Sequence, residues 1–267
     1  MKSFYGKRRN YRKKPVKKSR TYKRRSSVSN NIKRYVSRAI HTQIENKTAQ
    51  IFVSNARLCT PAVNTGLQTL SMIPYNNIIR GNAQSDKLAN EIRTRKCMFS
   101  FCLHQAPWSS DNNTAPEPQD IIMFIGKVKN AKPQKPVAAD YAKLFQNGSA
   151  SRGSGSTTID HCFFTNSDYF TIYKRLKFKV GNAITDGTGG SANYQFNANN
   201  DYKLNIAKTL NLTKYCPKVV KFNDDVAEPT NDGLWLWAYT VNANGTFTAA
   251  HTPATMDYNI YYEYEDA

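Results

Sequence analysis

Lys7-Arg8-Arg9, Arg12-Lys13-Lys14, Lys17-Lys18, Arg20 and Lys23-Arg24-Arg25 crowd the N-terminal stretch of this chain, with Phe4, Tyr5, Tyr11 and Tyr22 interleaved among them. Ammonium and guanidinium groups at that density neutralise phosphates. Each one that reaches a phosphate releases condensed counterion, so binding is tight, weakly sequence-specific and steeply salt-dependent. Tyr11 and Tyr22 are candidates for stacking on unpaired bases, worth about 1–3 kcal/mol each. Lys13-Lys14-Pro15-Val16-Lys17-Lys18 also has the make-up of a nuclear-import signal. A solvated tail with neither role is the plainest alternative.

The distribution of charge sharpens this reading. Residues 1–38 hold sixteen Lys or Arg and no Asp or Glu, and the first acid is Glu45. Removing those sixteen from the 38 basic residues leaves 22 against 19 acids, so residues 39–267 carry +3 of the net +19. A concentrated cationic arm therefore precedes a nearly neutral body. Such an arm buries too little apolar surface to offset its ordering entropy and is expected to be disordered alone.

Other chemistry fares poorly. Cys97, Cys102, His104, His161 and Cys162 invite a zinc site. In a strand, however, Cys97 and Cys102 face opposite sides, and Cys102 with His104 supplies only two ligands. Asp224-Asp225, Glu263, Glu265 and Asp266 read as solvated charges, with Glu263 and Glu265 on one strand face where a divalent ion or a lysine across a subunit boundary could reach them. Gly187–Gly190 lacks the Gly-Lys-Ser/Thr ending of a phosphate loop. No nucleophile–base arrangement is visible. The expectation is no catalytic residue, no metal and no cofactor. The five cysteines form no CxxC pair, no apolar segment follows Met1, and no run is long enough to span a membrane. A reducing compartment, cytosol or nucleus, fits best, and membrane insertion is not expected.

Behind the arm, Ile32, Tyr35, Val36, Ala39, Ile40 and Ile44 recur at three- and four-residue spacing after Ser29, Asn30 or Asn31 as N-cap. This predicts a short helix joining arm to body. From about Ala49 the period becomes two. Eight strands are predicted: Ile51–Leu58, Lys96–His104, Ile121–Ile125, Tyr169–Val180, Tyr202–Leu212, Lys218–Phe222, Leu234–Val241 and Met256–Tyr264. Ile121–Ile125 is continuously apolar and should be covered on both faces. In Tyr169–Val180, Phe170, Ile172, Leu176 and Phe178 should share the core face, with Lys174 as the exception. Ala139–Phe145 invites a second helix. Residues 106–120, 147–156 and 181–200 read as long loops, the candidates for subunit contacts or host attachment, and Asn242–Gly245 carries an Asn-Gly turn signal between the last two strands. Eight strands with long loops predict an all-β, eight-stranded, two-sheet jelly roll.

A basic, tyrosine-bearing arm ahead of an eight-strand body resembles the capsid proteins of circular Rep-encoding single-stranded DNA viruses, the circovirus-like group. The stretch from Ile78-Ile79-Arg80-Gly81 through Asn82-Ala83-Gln84-Ser85-Asp86-Lys87 to Leu88-Ala89-Asn90-Glu91-Ile92 is similar to that family's loop entering a shell strand. Ala89 stands where the family has a second glycine, and Lys87 where it has arginine. Asp168-Tyr169-Phe170-Thr171-Ile172-Tyr173-Lys174-Arg175 resembles a shell strand of the family. The resemblance implies a viral jelly roll that self-assembles as a homo-oligomer of sixty copies, an icosahedral T=1 virion, with the arm inside on a circular single-stranded DNA genome. The import-signal reading of Lys13–Lys18 adds nuclear import receptors as partners and the host nucleus as the place of assembly, and a host cell-surface receptor is expected without its identity being legible.

The expected organisation is residues 1–28 as nucleic-acid-binding arm, 29–48 as linker helix and 49–267 as shell domain. The phosphate-neutralising residues are Lys7, Arg8, Arg9, Arg12, Lys13, Lys14, Lys17, Lys18, Arg20, Lys23, Arg24 and Arg25. Two rivals use the same arm: a capsid protein of a small RNA virus, and a cellular nucleic-acid-binding protein. The second usually spreads basic charge over its folded body.

Overall fold

The structure, a computed structural model, describes residues 31–36, 46–58, 68–78, 90–105, 118–129, 142–147, 150–152, 158–181, 184–186, 194–196, 203–223, 229–231, 233–242 and 254–266. Residues 31–36 form a helix, within the segment expected to be helical, with Ile32, Tyr35 and Val36 exposed. All eight predicted strands are present. In chain order the described strands are β1 (Asn46–Arg57), β2 (Gln68–Ser71), β3 (Glu91–His104), β4 (Gln119–Val128), β5 (Phe145–Asn147), β6 (Ala150–Arg152) and β7 (Phe170–Val180). They continue with β8 (Ile184–Asp186), β9 (Tyr194–Phe196), β10 (Asn205–Asn211), β11 (Val219–Lys221), β12 (Trp235–Asn242) and β13 (Thr255–Asp266).

Two antiparallel sheets hold the body together. One runs β1-β13-β3-β10, with β11 also pairing β3, and the other runs β2-β12-β4-β7. Setting aside the hairpins β5–β6 and β8–β9 and the short β11, eight strands remain. Counted along the chain they lie in the order 1-8-3-6 in the first sheet and 2-7-4-5 in the second. That order is a jelly roll, in which early and late strands alternate as neighbours in both sheets.

Alternation explains which face is buried. Cys97, Phe99, Phe101 and Leu103 of β3 turn inward with Met256, Tyr258, Ile260 and Tyr262 of β13. From the second sheet Ile121, Met123 and Ile125 of β4 meet them, together with Phe178 of β7, whose ring stands edge-on to Phe101 at 5.6 Å. Each fully buried side chain of this size contributes about 1.5–3 kcal/mol. Strand β4 is buried from Gln119 to Gly126 on both faces, as its unbroken apolar run predicts.

One irregularity reorients β7. Lys174 pairs with Ile125 but Ile172 pairs with Gly126, so Tyr173 is an extra residue, a β-bulge. Residues before the bulge change face. Phe170 consequently points outward, edge-on to Trp237 at 5.5 Å, and does not share the core face of Phe178 as a uniform period of two predicts. Gly126 sits opposite the bulge because the β7 backbone crosses it closely. A Cβ there would lie 2.3 Å from the Thr171 carbonyl oxygen.

Other expectations need correction. Residues 142–147 form a turn and then β5, not a helix, because burying Leu144 and Phe145 outweighs local helix propensity. Strand β1 begins at Asn46, so it takes the last residues of the stretch expected as linker helix. The segment read as a loop at 147–156 holds β6 and the last residue of β5, and that at 181–200 holds the paired strands β8 and β9. Strands β12 and β13, which flank the Asn-Gly signal, belong to different sheets and form no hairpin with each other.

Candidate nucleic-acid interface

The basic clusters between Lys7 and Arg25, with Tyr11 and Tyr22, lie outside the described residues. What the structure does place is the chemistry of the body.

The outer face of the second sheet is apolar and covered. Phe124 of β4, opposite Trp237 of β12 and Arg175 of β7 in register, points away from the inter-sheet core, and Trp237 and Tyr239 are fully buried. Residues 144–147 and 158–166 cross above them. Phe145 packs on Phe124 at 6.1 Å and on Phe163 at 6.0 Å, while Gln146 N donates to the Phe164 carbonyl and Asn166 N to that of Leu144. Arg175 fastens this strap. Its guanidinium donates to the carbonyls of Asp160 and Phe163 at 3.0 Å each and of His161 at 3.4 Å, and lies over the rings of Phe124 and Phe145. Beside it, the buried Asp120 carboxylate meets Lys177 Nζ at 2.7 Å and His161 Nε2 at 3.0 Å. Burial lowers the His161 pKa below its ordinary value, Lys177 adds to the effect, and Asp120 opposes both.

The residues weighed for metal binding are dispersed. Cys97 is buried, donating to the Met72 carbonyl at 3.4 Å, and its partner is Cys216, whose thiol is pushed well up by their hydrogen bond and then by burial. His104 shares the outer face of the first sheet with Cys102, where it meets Asp257 at 3.9 Å and Asn55 at 3.4 Å. His161 belongs to the Asp120 cluster. Among the described residues no three of these ligand types converge. Glu265 is not a solvated charge: it is buried and forms an ion pair with Arg95 of its own chain. Asp266 likewise meets the buried Lys47, at 3.2 Å.

The near-neutral body has a segregated charge of its own. Strands β7 and β10 are the adjacent edges of the two sheets. Residues 169–181 carry Lys174, Arg175, Lys177 and Lys179, and residues 203–223 carry Lys203, Lys208, Lys214, Lys218 and Lys221, with no Asp or Glu in either segment. Lys177 is held by Asp120, and Lys221 meets Glu91 at 2.7 Å. The two edges meet where Lys203 N donates to the Lys179 carbonyl and Gly181 N to that of Lys203. Aromatic rings punctuate the strip. Lys208 Nζ stands 5.1 Å over Phe178, Tyr173 stacks on Tyr215 at 5.0 Å and 19°, and Lys214 Nζ is 4.8 Å from the Tyr215 ring. A cavity of about 240 Å³ opens there, lined by Lys127, Tyr173, Lys214, Tyr215, Cys216, Pro217 and Gly233. Sequence reading missed this strip because the net charge of the body averages it away. The alternating lysines of β7 and the lysines after residue 202 were its available signal.

No family model matches this chain, and no curated protein matches it. Among solved structures the chain is similar to one from Desmodium yellow mottle tymovirus, at 11% identity and a TM-score of 0.31, over 83% of this chain and 86% of that one.

Proposed function

We propose that this chain is the capsid protein of a small single-stranded DNA virus, that it closes into an icosahedral shell, and that its basic arm packages a circular genome. The observation that carries the reading is the segregation of charge: sixteen cations and no acid in residues 1–38, against a net +3 on all the rest. The jelly-roll body supports it, because a near-neutral body packs against copies of itself without strong repulsion while the arm meets the phosphates. About sixty copies would bring on the order of a thousand arm charges, enough to offset from roughly half to nearly all of the phosphates of a genome of roughly one to two thousand nucleotides. Lys13–Lys18 then serves a second time as the import signal that brings the chain to the host nucleus for assembly. No catalytic residue takes part.

The test is negative-stain microscopy of the full-length protein together with its absorbance ratio at 260 and 280 nm. Uniform closed particles carrying nucleic acid are the expected result, with DNase and not RNase releasing the content. RNase sensitivity would assign the shell to an RNA virus. A monomer that binds nucleic acid without assembling would assign the chain to cellular binding proteins. Deleting residues 1–28 should leave a folded body that no longer retains nucleic acid, and unchanged DNA binding would refute the arm assignment.

A further inference from the structure

We propose that the β7–β10 edge is a second contact for single-stranded nucleic acid, in which lysines meet phosphates and the Tyr173–Tyr215 pair receives a base. The inference rests on the packaging reading above and extends it from the arm to the folded body.

Three observations converge. The two edge segments hold nine basic residues and no acid, although the body as a whole is almost balanced. Of the nine, Arg175, engaged with the strap, Lys177, held by Asp120, and Lys221, meeting Glu91, are set aside. The rings on this strip already carry cations, Lys208 over Phe178 and Lys214 over Tyr215. Stacked Tyr173 and Tyr215 also line a cavity together with Lys127 and Lys214. Its volume of about 240 Å³ falls below the roughly 300–1,000 Å³ of sites for drug-sized ligands and suits one planar base. Lysines on an exposed edge also deter edge-to-edge pairing of sheets. That role accounts for Lys203 and Lys208 but requires neither stacked rings nor a cavity. An acidic surface or a sulfated polysaccharide would satisfy the lysines and leave the tyrosines without a purpose. A single strand uses both, because bases stack on aromatic rings while the backbone follows a cationic groove.

Spacing fits a strand lying along the edge. Tyr173 and Phe178 are five residues apart on β7, about 17 Å at roughly 3.3 Å per residue. Phe178 itself is buried, so the contact points at the two ends of that span are Tyr173 and the Lys208 that caps Phe178, far enough apart to hold a short run of nucleotides and not an isolated one.

The experiment uses the full-length chain and a fluorescent twenty-nucleotide oligothymidine, titrated by anisotropy at several salt concentrations. The variant Lys203→Gln/Lys208→Gln/Lys214→Gln, with its fold checked by circular dichroism, should lower the slope of log K against log salt by about 2, which is three phosphate contacts at about 0.7 each. Tyr173→Leu should bind the oligonucleotide about five-fold more weakly, the low end of a lost base stack, and an abasic strand of equal length unchanged. Ultraviolet crosslinking of the unmodified protein should mark peptides bearing Tyr173 or Tyr215 as well as the arm. A folded triple variant with an unchanged slope overturns the proposal, and if that variant also fails to form particles the edge belongs to a neighbouring copy. Equal losses for the abasic strand overturn the base contact in favour of a general polyanion site. Crosslinks confined to residues 1–28 overturn the edge site while leaving the packaging reading intact. An unmodified protein that binds no oligonucleotide sinks both.

Discussion

Replacing Arg175 with methionine tests whether one side chain fastens the strap over the second sheet. Methionine keeps an unbranched apolar stem against Phe124 and Phe145 but removes every donor. Two hydrogen bonds of 3.0 Å, to Asp160 and Phe163, are lost, and the third, to His161 at 3.4 Å, is near the geometric limit and adds little. Arg175 is partly solvent-exposed, so each strong bond is taken at about 1 kcal/mol and not the higher value of a buried charged donor. The ring contacts add about 0.5 kcal/mol at an exposed site. The sum of about 2.5 kcal/mol should lower Tm by about 5–10 °C for a body of this size. Hydrogen exchange should also rise across residues 158–166, since the carbonyls that Arg175 holds lie there. Arg175→Lys should recover little, because a single ammonium cannot reproduce the fork. A Tm within about 1 °C of the parent in Arg175→Met, with exchange in 158–166 unchanged, would refute this account of the strap.

Gly126→Ala should destabilise the body by about 3 kcal/mol or more in urea unfolding, since the new methyl meets backbone at the bulge and not a movable side chain. Phe99→Ala empties a fully buried site between the sheets and should cost about 3–5 kcal/mol by the same measurement. His161 binds a proton less readily when folded than its ordinary value of 6.5 implies. The unfolded chain takes up the proton first, so this contribution is complete above 6.5 and is lost as pH falls toward the lower folded value. Urea midpoints measured from pH 7 to pH 5 should therefore decline less steeply in His161→Gln than in the parent.

The strands were legible because one face of each is buried and the other is not, which writes a period of two into Lys96–His104 and Met256–Tyr264. Ile121–Ile125 was legible for the opposite reason, its unbroken apolar run reporting cover on both faces. Strand order was not legible, since nothing local in Asn46–Arg57 says that its partner lies two hundred residues on. β2, at four residues, is too short to show a period. The bulge at Tyr173 was hidden because a period of two can be continued through it in the sequence. Its one local sign was a glycine at position 126 ending an apolar strand, the residue that marks close backbone approach. The strap escaped notice because Phe145 reads as the end of a helix and Phe163 as a loop aromatic until Phe145 is seen to pack on Phe124 and Phe163 on Phe145. Of the candidate site, the arm is proposed from charge runs alone. The basic edge needed the fold, because β7 and β10 become neighbours only when two sheets are stacked.

The pairing of Asn46 with Glu265, and of β2 with β12, has a consequence for the order of events during synthesis. Strand β13 is interior, flanked by β1 and β3, yet it leaves the ribosome after every other described strand. Until it arrives, β1 has no partner among the described strands and β3 lacks its most extensive one, so the first sheet cannot close. Pairings this distant in sequence fold slowly. A growing chain thus has its sixteen N-terminal cations synthesised well before the first sheet is complete. On the packaging reading, those cations can meet polyanions before the body is finished, an order set by the place of β13 inside the first sheet.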